Sequence, residues 1–219
     1  MMNPEALFDP IPEGAGAIGV LSSDEFVSDA EPFDRVLLSA SGPRVAVILA
    51  ADPSAARQNE KLALAHFRAL GAEPVVLDVL QRDDATAQSL PPFDVLFLGG
   101  GSPATLLAAL RDTPLWKEAL RRWRAGASLA GSSAGAMALC RNCLTPQPGD
   151  RMPTQWSAGL GPLRNVALAV HASSRPESWL GDVAARAPVP VIALDDATGV
   201  VMQHGAAPVM AGPGRIRIA

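Results

Sequence analysis

Residues 131–135 carry the sequence GSSAG, which has the residue types and spacing of a serine nucleophile on a sharp turn. They follow an apolar run at residues 127–130 and precede a helical stretch at residues 134–139. That strand–turn–helix context is the one a G-x-S-x-G nucleophile elbow requires. The turn tolerates only small neighbours, and the residues flanking Ser133 are all Gly, Ser or Ala. We therefore predict that Ser133 is a nucleophile, with the positive end of a helix dipole beside it.

A glycine triplet at residues 99–101 also directly follows a predicted strand, as the GSSAG segment does. It follows the apolar run at residues 93–98 and opens a second helical stretch at Pro103. Glycines let backbone N–H groups approach a ligand closely. We predict that the N–H groups of Gly101 and of Ala134, the residue after the nucleophile, form an oxyanion hole.

A serine nucleophile needs a general base, and the sequence offers few candidates. The chain has three histidines, His66, His171 and His204, and two lysines, Lys61 and Lys117. Both lysines and His66 lie within helical stretches, and His204 lies in a turn of the tail. His171 directly follows the apolar run at residues 165–170, and ligands bind at the carboxyl ends of strands in open α/β sheets. We therefore predict that His171 is the base.

The third member of a triad must be an acid that orients the imidazole. Asp195 and Asp196 follow the apolar run at residues 189–194, again at the expected ligand edge of the sheet. Asp150, in a loop rich in proline and glycine, is a looser candidate. On residue types alone, the choice among these three stays open.

Two other motifs do not lead to a cofactor or a metal. Residues 14–19 match G-x-G-x-x-G, but the strand signal follows the glycines, whereas a dinucleotide fingerprint needs it to precede them. Cys140 and Cys143 form a C-x-x-C pair, and the sequence has no second pair to complete a zinc site. We therefore expect no cofactor and no metal.

The remaining pattern alternates short apolar runs with helical stretches, which predicts an α/β fold. Strands buried on both faces are predicted at residues 44–50, 74–79, 93–98, 127–130, 165–170 and 189–194. Helices are predicted at residues 54–70, 103–110, 114–124 and 176–186, and in the first of these Leu62, Ala65 and Ala69 share a face. Short strands at residues 199–203, 208–211 and 215–218 predict an antiparallel edge near the C-terminus. The sheet should be mostly parallel, with helices on both faces.

The composition fits one globular domain over residues 1–219, with an irregular lead-in at residues 1–16. Charged residues make up 18%, aromatic residues 5%, and the net charge is −4, which argues against a nucleic-acid partner. The longest aliphatic run, residues 45–51, is far shorter than the roughly 20 residues of a membrane span. We recognise no secretory signal. We expect a cytoplasmic protein without a membrane partner, and the sequence does not indicate its oligomeric state.

Together these residues resemble the serine peptidase family of dipeptidase E (aspartyl dipeptidase) and cyanophycinase. The resemblance rests on the glycine triplet, on the elbow with its S-A-G-A core, on His171 placed 171 − 133 = 38 residues beyond the serine, and on Asp195-Asp196. It implies a flavodoxin-like three-layer sandwich similar to the class I glutamine amidotransferases. It also implies a Ser-His-Asp triad of Ser133, His171 and Asp196 that cleaves small peptide substrates.

The resemblance also implies substrate-binding roles for Ser102 and Arg175. Ser102 occupies a position where the family often has Asn or Gln, and Arg175 matches one of two arginines of cyanophycinase-like members. The second arginine is missing, with Pro176 and Glu177 nearby. We therefore expect peptide hydrolysis without a strong preference for aspartyl dipeptides.

Two other functions compete with this one. An α/β-hydrolase-type esterase uses the same elbow with its histidine after the acid, which would pair Ser133 with His204. A non-catalytic binding relative would keep the fold without the activity. A glutamine amidotransferase is disfavoured, since its nucleophile is Cys where this chain has Ser133.

Overall fold

The computed structural model describes residues 8–146 and 152–219. The candidate acid Asp150 lies outside the described residues. The strands are β1 (Ile18–Leu21), β2 (Arg44–Ile48), β3 (Glu73–Val76), β4 (Val95–Leu98), β5 (Ser128–Ser132), β6 (Asn142–Thr145), β7 (Gln155–Ala158), β8 (Ala167–Ala169), β9 (Val191–Leu194), β10 (Gly199–Met202), β11 (Val209–Ala211) and β12 (Ile216–Ile218). The helices are α1 (Glu31–Ser41), α2 (Ala56–Ala69), α3 (Arg82–Ala87), α4 (Pro103–Leu110), α5 (Pro114–Arg124), α6 (Ala134–Ala138) and α7 (Glu177–Ala185).

The central sheet has seven strands in the order β11-β10-β1-β5-β4-β2-β3. From β1 to β3 all neighbours pair in parallel, and β10 and β11 add an antiparallel edge. The predicted α/β fold with a mostly parallel sheet and an antiparallel edge is confirmed, but the third strand predicted for that edge, β12, lies in another sheet. The register pairs Leu21 with Ser132 and Leu98 with Gly131. The carboxyl ends of β1, β4 and β5 therefore meet at one edge of the sheet.

Each face of the sheet supports a separate hydrophobic core, because successive side chains of a strand point to opposite faces. Along β2, Val45 and Val47 pack on the side of α1 and α2, which contribute Phe33 and Phe67. The alternate residues of β2 pack on the opposite side, in the core that includes α4, α5 and α6. Both faces are thus covered, as the continuous apolar runs indicate.

The strands that precede His171 and Asp196 are not part of the central sheet. We predicted one sheet that includes them, but β8 and β9 pair with each other in parallel, and β12 pairs with β9, in a separate three-stranded sheet. The side of β1 that they could have joined is occupied by β10. The strands β6 and β7, which the sequence pattern did not predict, form a hairpin of their own.

The buried face of α2 differs from the predicted one. Leu62, Ala65 and Ala69 are exposed, and the helix instead buries Phe67 and His66. The His66 Nε2 atom lies 2.7 Å from Asp34 Oδ2 of α1, and both side chains are almost fully buried. Burial raises the pKa of Asp34 even though the hydrogen bond to His66 opposes that effect. His66 therefore links α1 and α2 through a buried contact.

Two further outcomes concern the lead-in and the helices. Residues 8–16 contain no helix or strand, as predicted for the described part of the lead-in, and β1 follows the glycine motif. Among the described residues, none of the helices is long and apolar enough to cross a membrane.

We predict that Gly135→Ala destabilises the fold through the contact between α6 and β4. A Cβ atom at Gly135 would lie 2.1 Å from the backbone oxygen of Leu98, so the helix and the strand would have to separate. The free energy of unfolding, measured by urea denaturation, should fall by about 1–3 kcal/mol or more. Gly181→Ala is the matched control, because its Cβ meets nothing within 4 Å inside α7. The control should leave stability unchanged or raise it by up to about 1 kcal/mol; equal losses in both variants would contradict the close approach.

Candidate active site

The backbone of Ser133 has the conformation of a nucleophile elbow. Its φ of 50° and ψ of −111° are rare for a residue with a side chain, and such strain is found where the surrounding structure enforces it. The Ser133 N–H donates to the oxygen of Leu21 at the end of β1, and its carbonyl accepts from Met137 in α6. A Cβ at Gly131 would lie 2.5 Å from the backbone of Gly135. The small residues on either side thus permit the turn that presents the Ser133 hydroxyl.

His171 faces the Ser133 hydroxyl from the end of β8. Its backbone is left-handed, with φ of 58° and ψ of 33°, at the start of a single 3-10 turn, Ala172–Ser174. The His171 N–H donates to Ser22 Oγ at 2.8 Å, which holds the backbone in this orientation. The Nε2 atom of His171 then lies 3.0 Å from Ser133 Oγ. That separation allows the imidazole to accept the hydroxyl proton.

Asp196 lies on the other side of the imidazole. Its Oδ1 atom is 2.9 Å from His171 Nδ1, and its Oδ2 atom accepts hydrogen bonds from Ser173 and Ser174. Partial burial raises the pKa of Asp196, but the hydrogen bonds from Ser173, Ser174 and His171 outweigh it and lower the pKa to about 2. The carboxylate is therefore ionised over the whole neutral range, as an acid that orients a histidine must be.

The other sequence candidates have different partners. The buried carboxylate of Asp195 accepts from the backbone N–H of Arg215 and from the guanidinium of Arg217, so it fastens β12 to β9. His204 follows β10, which runs antiparallel to β1, so it lies at the edge opposite to Ser133. Its Nδ1 atom is 2.8 Å from the backbone oxygen of Ile11. The structure thus brings together Ser133, His171 and Asp196 and leaves Asp195 and His204 outside the cluster.

Two backbone N–H groups beside the nucleophile have no hydrogen-bond partner among the described residues. Ala134 is the first residue of α6, and the N–H groups of a first helical turn have no partner within the helix. In the glycine loop, the N–H of Gly100 donates to Glu25 and that of Ser102 donates to Ala51, which leaves Gly101 between them. Gly101 has φ of 133°, and a Cβ there would lie 2.6 Å from the oxygen of Ala51. Glycine is therefore needed at the position proposed as the second donor.

A cavity of about 260 Å³ opens beside Ser133 and His171. Its other lining residues are Gly101, Ser102, Pro103, Met137, Pro146, Pro153, Val170, Arg175 and Trp179. Ser102 caps α4 by accepting from the N–H of Thr105, so its hydroxyl is partly engaged. The Arg175 guanidinium lies 5.8 Å from the centre of the Trp179 ring, and its buried Nε has no hydrogen-bond partner among the described residues. The cavity wall thus combines apolar side chains with polar groups that include one guanidinium.

A larger cavity of about 600 Å³ lies at another place in the fold, beside Trp123 and Arg164. Ser133, His171 and Asp196 do not line it, so its size does not make it the candidate active site.

Several residues that hold this site were not identified from sequence. Ser22 and Glu25 follow β1, and Ser173 and Ser174 follow His171. His171 was predicted because it directly follows an apolar run. Ser22 also follows an apolar run, but the sequence pattern indicated a strand only at Val20-Leu21 before it. A longer apolar segment over residues 17–21 was the signal that could have predicted β1 and drawn attention to the polar residues after it.

The C-x-x-C pair is buried in the core. Both thiols are free and fully buried, and burial raises the pKa of Cys140 well above its ordinary value and that of Cys143 to about 12. A thiolate is therefore strongly disfavoured at either position.

Comparison with known proteins relates the whole of this site to one family. The model of peptidase family S51 matches residues 19–210, a range that includes the elbow, His171 and Asp196. Cyanophycinases from Trichormus variabilis and from Nostoc sp. are each 30% identical over 119 residues, which cover 50% of this chain. The match covers only 40% of the length of those cyanophycinases.

Solved structures agree with the fold. A peptidase from an acI-B1 Actinobacterium superposes with a TM-score of 0.78 at 26% identity, over 93% of this chain and 90% of that one. A candidate peptidase E from Listeria monocytogenes EGD-e superposes with a TM-score of 0.68 at 17% identity, over 91% of this chain and 99% of that one, which supports the fold alone. The family match, which covers most of the chain, decides the assignment: this protein belongs to peptidase family S51, a family of serine peptidases.

Proposed function

We propose that this protein hydrolyses short peptides by a Ser-His-Asp mechanism. The observation that carries the proposal is the continuous chain of contacts from Ser133 Oγ to His171 Nε2 at 3.0 Å and from His171 Nδ1 to Asp196 Oδ1 at 2.9 Å. Membership of a serine peptidase family gives the reaction class, and the order of the three side chains supports roles for them as nucleophile, base and orienting acid.

The proposed reaction has two halves. In the first, Ser133 Oγ attacks the peptide carbonyl carbon while its proton moves to His171 Nε2, and the N–H groups of Gly101 and Ala134 stabilise the oxyanion. The imidazolium then gives its proton to the leaving amine as the C–N bond breaks, which leaves an ester on Ser133. In the second half, water attacks that ester, again with His171 as base, and the acid product leaves. Asp196 remains ionised throughout and stabilises the imidazolium.

The lining of the cavity supports a substrate with an apolar side chain next to the scissile bond. Its wall includes Met137, Val170 and Trp179, and a volume of about 260 Å³ suits a short peptide better than a folded chain. Arg175 offers one positive charge, but its stacking on Trp179 and the lack of a second arginine beside it in sequence argue against a site built for an aspartyl side chain.

We expect Ser133→Ala to abolish labelling by a fluorophosphonate probe, because the probe reacts with an activated serine. His171→Ala should slow labelling by about 10²–10⁴-fold through loss of the general base. His204→Ala is the matched control and should label at the wild-type rate, since His204 lies at the opposite edge of the sheet. Gel fluorescence and mass-spectrometric mapping of the adduct measure all three. Labelling of another serine, or equal losses for the two histidine variants, would contradict the proposal. Slow labelling of His204→Ala beside normal labelling of His171→Ala would contradict it and favour the esterase arrangement.

Asp196→Asn should lower the turnover number by up to about 10⁴-fold, because the amide favours the wrong imidazole tautomer. Steady-state kinetics on a dipeptide substrate measure this loss.

The Asp196→Asn substitution should also change how the free energy of unfolding depends on pH. Since the folded pKa of Asp196, about 2, lies below its ordinary value of 3.8, the wild type gains stability from this carboxylate above that ordinary value. The gain should disappear as the pH falls through about 2. Urea denaturation at several pH values, with exposed Asp182→Asn as the control, measures it; a constant difference at all pH values would contradict the assigned pKa.

A panel of dipeptides that differ only in the first residue tests the substrate class. We expect kcat/KM for Leu and Met to exceed that for Asp by about 10-fold or more, because burial of an apolar side chain contributes about 1.5–3 kcal/mol. Arg175→Met should leave this order unchanged. An Asp preference on the order of 10²-fold that Arg175→Met removes would instead assign Arg175 to recognition of the aspartyl carboxylate.

A further inference from the structure

The loop after β1, residues 22–27, contacts the segments that carry the proposed triad. Ser22 Oγ accepts from the N–H of His171 at 2.8 Å and donates to the oxygen of Leu194 at 3.0 Å. Ser23 Oγ accepts from the N–H of Ala197 at 2.9 Å. We call residues 22–27 the β1 loop. Its two serines therefore hold the histidine and aspartate segments.

Glu25 of the same β1 loop bridges the other two segments of the site. Its Oε1 atom accepts from the N–H of Gly100 at 2.7 Å, and its Oε2 atom accepts from Ser132 Oγ at 2.7 Å. Gly100 directly precedes Gly101, the proposed oxyanion donor. Ser132 directly precedes Ser133. One half-buried carboxylate thus joins the residue before the donor to the residue before the nucleophile.

The bridge lies where the sheet no longer holds the two segments together. The last registered pair between β4 and β5 is Leu98 with Gly131, so Gly100 lies beyond the ladder. A Cβ atom at Gly100 would lie 2.4 Å from Glu25 Oε1 and 3.2 Å from the Cβ of Ser133. Glycine at this position therefore permits the carboxylate and the nucleophile to approach the same stretch of backbone.

The backbone of the β1 loop is strained on both sides of Glu25. Asp24 has φ of 61° and Phe26 has φ of 65°, values that cost free energy for residues other than glycine. The Phe26 ring is buried against Phe97 and Phe67, with ring centroids 5.5 and 6.0 Å away, and this packing offsets the strain. The aromatic contact fixes the loop in the conformation that presents Glu25 to Gly100 and Ser132.

We infer that Glu25 is a positioning residue that sets the separation between the nucleophile and the oxyanion hole. The inference rests on the proposed function, because it assigns Ser133 and Gly101 their roles there. Glu25 acts through its two hydrogen bonds and does not touch the reacting atoms. Its negative charge does not assist an oxyanion, so the hydrogen bonds, not the charge, are its contribution.

The Glu25→Gln substitution distinguishes the hydrogen bonds of Glu25 from its charge, because it removes only the charge. In Glu25→Gln the amide oxygen can still accept from the N–H of Gly100, and the amide nitrogen can donate to Ser132 Oγ, which can accept as well as donate. In Glu25→Ala both bonds are lost. Glu31→Ala is the matched control, since Glu31 is a glutamate on nearby α1 that pairs with Arg35 at the surface.

The test measures the rate constant of inactivation and the binding constant of a fluorophosphonate probe, whose phosphoryl oxygen occupies the oxyanion hole. We expect Glu25→Ala to lower the inactivation rate constant by about 10²-fold with little change in probe binding, because a small misplacement of a reacting group costs about that much. Glu25→Gln and Glu31→Ala should react within a few-fold of the wild type. The midpoint of the pH–rate profile should be the same in all four proteins.

Each other result overturns the inference. If Glu25→Ala labels as fast as a normally labelled wild type, the inference fails and the proposed function stands. The same holds if Glu25→Gln labels as slowly as Glu25→Ala. A wild type that does not label at Ser133 overturns the proposed function and the inference with it. If Glu25→Ala does not fold, Ser132→Ala removes one bond of the bridge, and a rate equal to that of the wild type contradicts the inference.

Discussion

The Ser133 backbone must be held in a strained conformation, and the rest of the site depends on that constraint. The turn is possible because Gly131 lies too close to the backbone of Gly135, and Gly135 too close to the oxygen of Leu98, for either position to carry a side chain. The Ser133 N–H is fixed to Leu21, and its carbonyl to Met137, so β1 and α6 both hold the turn. Parallel pairing of β1, β5 and β4 then determines what can stand beside the hydroxyl: the loops that follow those strands.

The three-stranded sheet positions the proposed base and acid, which do not follow any strand of the central sheet. β8 and β9 end near the elbow and present His171 and Asp196, while the buried Asp195 fastens β9 to β12 through Arg215 and Arg217. The two adjacent aspartates therefore have different partners, because the Asp196 carboxylate contacts His171, Ser173 and Ser174 instead. The β1 loop joins the two sheets, since Ser22 contacts His171 and Leu194.

Local signals made much of this predictable from sequence. α4 begins at Pro103 and α5 at Pro114 as predicted, because proline suits a first helical turn and the preceding Ser102 and Thr113 cap it. The elbow was recognisable because its steric demand appears as a run of small residues.

The separate sheet of β8, β9 and β12 could not be predicted, because the apolar pattern of a strand does not specify which strand it pairs with. The predicted buried face of α2 was wrong because the alanines of this helix are compatible with several buried faces, and the burial of Phe67 determines which one is observed. Glu25 was missed because its two hydrogen-bond partners are 75 and 107 residues away in the sequence.

The central claim is that Ser133, His171 and the two backbone N–H groups form one preorganised site. A crystal structure of the protein after reaction with a fluorophosphonate tests it most directly. We expect phosphorus bonded to Ser133 Oγ and a phosphoryl oxygen about 2.7–3.1 Å from the nitrogens of Gly101 and Ala134. The carboxylate of Glu25 should still bridge Gly100 and Ser132. An adduct on another residue, or a phosphoryl oxygen that points away from both N–H groups, would contradict it.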